Sequence, residues 1–229
     1  MTDAPSLILT ILPLAGAAAV SPVVLSIFLI VMSLSDNPKL PGLSFYLGAI
    51  IVLLVTVFIG IFLGHKLTSG GAANPTTMAA IDMSLGAILV LLGFRNFVSK
   101  KESSIFKYLA IDKNASAFSS FKKYFSLGCI AFLTNFSTAI FLLAAGRVIG
   151  VTNAGFTVDA LTVLTLTIIT LIVIEIPLLF FLILPGKAKK ITEPVNEWIS
   201  THDNLVTGAF CVGIGLLIIY NGIGRLGMT

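Results

Sequence analysis

The chain has 229 residues, of which 57% are apolar and only 10% charged, with a mean hydropathy of +1.06. A soluble domain carries about 25% charged residues, so the composition excludes a soluble domain and predicts one all-α, polytopic membrane domain over residues 1–229. The net charge of +4 comes with no aromatic–basic binding pattern, so it reads as membrane topology and attraction to anionic lipid rather than nucleic-acid binding.

About 20 apolar residues cross a bilayer as a helix, and six such spans are predicted. The first lies near 6–33, within a run from Ala4 to Ser35 that holds no Asp, Glu, Lys or Arg. Asp3 precedes it and no basic residue does, so the basic flank of a cleaved signal peptide is missing and the segment is expected to stay. The second span lies near 41–64. The third runs from about 77 to 98 and carries Asp82 and Arg95. The fourth lies near 125–146, and the fifth, near 159–184, carries Glu175 and Pro177. The sixth lies near 204–224. None shows the short alternating pattern of a barrel strand.

Lysines predict the orientation. The 1–2, 3–4 and 5–6 connections hold Lys39, Lys100, Lys101, Lys107, Lys113, Lys122, Lys123, Lys187, Lys189 and Lys190, with Arg95 near the same face. The other side has only Lys66, Arg147 and Arg225. The lysine-rich connections therefore belong in the cytoplasm and both termini outside. Two of these connections are expected to lie on the membrane surface. In 187–200, Ile191, Val195, Trp198 and Ile199 fall at helical spacing among charges. The 99–124 segment, read as a basic linker, mixes lysines with Ile105, Phe106, Leu109, Phe118 and Phe121.

Val20-Ser21-Pro22 interrupts the first span. Shifted by 113 positions it falls on Leu133-Thr134-Asn135 in the fourth. Pro22 cannot donate to the carbonyl of Ala18, and a freed carbonyl in lipid must be satisfied by protein or trapped water. A second match links the third and sixth spans. Gly86-Ala87 and Gly93 align with Gly208-Ala209 and Gly215 at an offset of 122. Residues 6–98 and 125–225 thus read as two three-helix repeats, inverted because three is odd, with a broken-helix site at Ser21, Pro22, Thr134 and Asn135. The same residues also suit plain helix packing, the more ordinary role for any one glycine.

These features resemble a known family. Leu12-Pro13-Leu14-Ala15-Gly16…Ser21-Pro22 in the first span, and Leu43-Ser44-Phe45-Tyr46-Leu47-Gly48 opening the second, resemble the lysine-exporter (LysE) superfamily. Within it, the chain is most similar to the glycolipid-addressing (GAP, or Sap) proteins. The resemblance spans nearly the whole chain. It implies an alternating-access export carrier, in that branch for lipids or glycolipids reaching the cell surface. Metal-transporting members carry acidic residues in the first and fourth spans, as hard cations require. Thiol–disulfide carriers need paired cysteines there. Here both spans lack Asp and Glu, and only Cys129 is present.

Amino-acid or other small-solute export stays open, since Ser21, Thr134 and Asn135 suit a zwitterion. So does a non-transport scaffold of envelope-lipid assembly. An enzyme is not expected, for want of a nucleophile–base pair, nor is a metal or cofactor. Cys129 and Cys211 lie in apolar segments, and His65 and His202 are far apart. The expected partners are membrane lipids and a lipid-like or small-molecule substrate, and a homodimer is compatible with the sequence.

Charge inside a bilayer is costly and usually paired. Arg95 and Glu175 match in depth from the cytoplasmic side and are predicted to pair. Glu175 is either a proton-coupling carboxylate or a structural group. Asp82 reads as a helix-start residue and Arg147 as an interfacial anchor, each a possible headgroup contact.

Overall fold

Pro22 has no N–H for the turn before it, and Asn135 offers its side chain to the turn after it, so both are poor residues for a helix interior. The computed structural model describes residues 4–35, 37–68, 75–98 and 117–226. In it α1 (Ala4–Ala19) gives way to α2 (Pro22–Leu34) at a 54° bend. After α3 (Lys39–Thr68) and α4 (Pro75–Val98), α5 (Ala117–Thr134) gives way to α6 (Phe136–Thr152) at a 77° bend. Then come α7 (Phe156–Ile183) and α8 (Pro185–Leu226). Among the described residues there are no strands. Among the described residues, four helices, α3, α4, α7 and α8, are long and apolar enough to cross a membrane. The count rises to as many as six if each bent pair is one span.

Some boundaries differ from the sequence expectation. Residues 187–200 do not form a separate surface helix. They continue into the apolar part of α8 as one helix of 42 residues, because no Gly or Pro follows Pro194 until Gly208. Residues 117–124 open α5, so Phe118 and Phe121 belong to that helix. Residues 99–116, with Ile105, Phe106 and Leu109, lie outside the described residues, as do 69–74.

The outward faces are apolar. Leu43, Leu47, Ile51, Val55, Phe58 and Phe62 form an exposed stripe along α3 at helical spacing, the reverse of a soluble helix. Inside, Phe28, Phe45, Phe141 and Phe181 are almost fully buried, and the Phe28 and Phe45 rings meet at 5.4 Å.

Helices in lipid gain nothing from expelling water, so close packing relies on small residues. A Cβ on Gly48 would strike the backbone of Phe125 in α5, and one on Gly150 the backbone of Ile61 in α3. Gly60 and Gly64 of α3 lie against the backbone of Gly146, Arg147 and Gly150 in α6. Helix α3 therefore meets α5 near its own start and α6 near its own end, running as a chord across the bend. Helices α4 and α8 pack antiparallel. A Cβ on Gly86 would lie 2.6 Å from the Gly215 carbonyl, and one on Gly93 would lie 2.9 Å from that of Gly208. Helix α7 packs on α1, and α8 also packs on α2.

These contacts set a test of the packing. Gly48→Ala and Gly150→Ala are expected to lower stability by about 1–3 kcal/mol, the usual cost of overpacking. Gly213→Ala, whose Cβ meets nothing within 4 Å, should leave stability unchanged or slightly raised. Thermal melting of the purified protein in detergent reads the difference. Equal behaviour of the three variants would refute the close approach.

Candidate functional site

The two helix breaks meet. Ser21 is the N-cap position of α2 and Asn135 the N-cap of α6. Asn135 Nδ2 donates to Ser21 Oγ. Asn135 Oδ1 accepts from the Ser137 hydroxyl at 2.9 Å and from the Thr138 N–H at 3.4 Å, which caps α6. The Ala18 carbonyl, left without a helical donor by Pro22, accepts from the Thr138 hydroxyl at 3.3 Å. The second break thus satisfies the freed carbonyl of the first and caps its own helix, and a side-chain hydrogen bond joins the two. Ser21, Ser137 and Thr138 are buried and Asn135 half-buried, within a core that includes Phe28, Leu29, Phe141 and Leu142.

Several details depart from the sequence reading. The breaks correspond at an offset of 114, N-cap to N-cap, not 113. Pro22 is the first residue of α2, where a missing N–H costs nothing, so it starts a helix rather than kinking one. Thr134 does not join the cluster. It is exposed, and its hydroxyl returns to the Ile130 carbonyl of its own helix at 2.7 Å. Ser137 and Thr138 take its place. A polar run Thr134-Asn135-Phe136-Ser137-Thr138 was visible in the sequence, but nothing there said which hydroxyls turn inward.

The predicted Arg95–Glu175 pair does not form. Arg95 is exposed on α4, and the Tyr46 hydroxyl of α3 donates to Glu175 Oε1 at 2.6 Å instead. Helix α7 packs against α1 and α3 and not closely against α4, so matching depth was not enough. Asp82 and Arg147 are not a helix-start residue and an interfacial anchor. Asp82 lies seven residues past Pro75, and the two side chains form a buried ion pair, 5% and 8% exposed. Arg147 Nη1 also reaches Met78 Sδ at 3.5 Å. Asp159 lies in the first turn of α7.

With this geometry in view, one comparison is decisive. A family model described as Sap, sulfolipid-1-addressing protein, matches residues 11–224. The chain belongs to the sulfolipid-1-addressing (Sap) family. No match was found among curated proteins or solved structures. The match takes in both helix breaks, the Tyr46–Glu175 contact and the Asp82–Arg147 pair, so all three belong to the Sap part of the chain. The Sap family description points to lipid or sulfolipid addressing. Among the described residues no group of three or more His, Cys, Asp or Glu side chains is arranged to hold a metal.

Proposed function

We propose that this Sap-family protein is a membrane carrier, not an enzyme, that exports or flips a lipid-like substrate across the plasma membrane by alternating access. The observation that carries the reading is the direct Ser21–Asn135 bond between two helix breaks in opposite halves of the chain. Irregular backbone at membrane depth is tolerated only inside protein or along a cavity. A scaffold needs no such break. The family description supports a lipid-like substrate, and the few polar groups among Phe, Leu and Ala suit a mostly apolar molecule better than an amino acid.

Six spans in two inverted repeats fit this reading. Gly86 packs on Gly215, the counterpart of Gly93 at the offset of 122, while Gly93 packs on Gly208, the counterpart of Gly86. An exchange of partners of this kind is what a pseudo-two-fold axis produces. Ser21 and Asn135, counterparts at 114, touch each other, as residues on such an axis do. In this reading both termini face outward and Glu175, held by Tyr46, is the proton-coupling carboxylate.

Two experiments test the proposal. The purified protein in lipid vesicles should accelerate transbilayer movement of a fluorescent glycolipid analogue, and Glu175→Gln should abolish its dependence on a pH gradient while the fold persists. Vesicles that flip lipid no faster than protein-free ones would overturn the carrier. For orientation, cysteines introduced at Asn74 and Lys113 should label from opposite sides of sealed cells, Asn74 from outside. The reverse pattern overturns the lysine argument.

A further inference from the structure

Two polar contacts flank the Ser21–Asn135 junction, one toward each end of the bundle. Tyr46 lies seven residues past Lys39 in α3, and Glu175 eight residues before Ile183 in α7. At 1.5 Å per residue both are about 10–12 Å inside the end where α3 begins and α7 finishes. Asp82 lies seven residues past Pro75 in α4, and Arg147 five before Thr152 in α6. They are about 8–10 Å inside the other end. Helix α3 measures the separation. The Arg147 backbone packs at Gly60 and Gly64, and these lie 14 and 18 residues beyond Tyr46, about 21–27 Å along the axis.

The two contacts share no residue and no helix. Tyr46–Glu175 ties α3 to α7, and Asp82–Arg147 ties α4 to α6. Each joins a residue of the first half to one of the second. We infer that they are the two gates of the carrier, opening in alternation on either side of the central junction. The inference rests on the carrier reading above. Both contacts are made in this structure.

The chemistry suits this task. A buried ion pair holds little net advantage over an apolar contact, yet separating it into a dry interior is prohibitive. The Asp82–Arg147 gate therefore opens only as water or a polar headgroup enters to solvate both charges. The Tyr46–Glu175 gate follows the same rule, because the carboxylate loses its donor unless water replaces it. Opening both at once would require solvating both ends of the bundle together, which makes the doubly open state the most costly one.

The test reads water access to the centre from each side. Ser21→Cys serves as reporter in a background where Cys129 and Cys211 are Ala, with the protein in sealed vesicles. An impermeant thiol reagent is supplied outside or trapped inside. Asp82→Asn with Arg147→Gln removes both charges together, leaving no lone charge to unfold the protein. It should raise labelling severalfold from the end bearing the α3–α4 and α6–α7 connections. Tyr46→Phe removes a single hydroxyl and should raise labelling severalfold from the opposite end. Unchanged labelling in Tyr46→Phe, or a rise from the same side in both variants, would overturn the gates. Lipid movement is read separately, in vesicles of the unsubstituted protein, which keeps Ser21, Cys129 and Cys211. Side-specific labelling without lipid movement would overturn the proposed substrate and leave the gates standing. Lipid movement with unaltered labelling would overturn the gates alone.

Discussion

Asp82→Leu alone is expected to destabilise the protein by roughly 3–5 kcal/mol, and adding Arg147→Met should recover most of that loss. Asp82 and Arg147 are buried against each other at membrane depth. Removing the carboxylate strands a guanidinium that stays charged at any accessible pH. Removing Arg147 instead leaves a carboxyl group, which can become neutral by holding a proton, so Arg147→Met alone should be the milder single variant. Thermal melting in detergent gives all three values. A double variant no more stable than Asp82→Leu would show that the two side chains act independently.

The second large effect is on transport. Asn135→Leu should reduce lipid movement by about tenfold or more while costing only about 1–3 kcal/mol of stability, the sum of one helix cap and one or two hydrogen bonds. Asn135 is the only side chain described that contacts the opposite break and caps its own helix together. Leucine keeps its volume and severs both. Thr134→Val, one residue earlier, serves as control. Its hydroxyl is exposed and bonds only its own helix, so transport should change less than twofold, within the range of a surface substitution. If Thr134→Val impaired transport as much as Asn135→Leu, the site would be wrongly centred.

Much of this architecture was legible in the residues. The membrane class follows from uncharged runs that exceed the bilayer thickness, which no tertiary contact can alter. Both helix breaks were visible, because proline and a capping amide act on the backbone within one turn. The glycine pattern at an offset of 122 was visible, and the contacts made by Gly86 and Gly93 give it a packing role.

What the sequence could not supply was which helices become neighbours. Depth along a helix is readable at 1.5 Å per residue, but rotation about the bundle is not. Arg95 and Glu175 matched in depth, yet Glu175 faces Tyr46 because α7 packs on α3 and α1 rather than α4. Asp82 and Arg147 looked like end-of-helix residues until the approach of α4 to α6 buried them together. Among the four polar positions near the second break, only packing chose Ser137 and Thr138 for the interior and turned Thr134 outward. The sequence by itself determined where the helices run and where they break, because those properties are local. The tertiary structure alone decided the partners of each buried polar group, because in a uniformly apolar chain helix rotation is fixed by contacts between glycines and neighbouring backbones far apart in sequence.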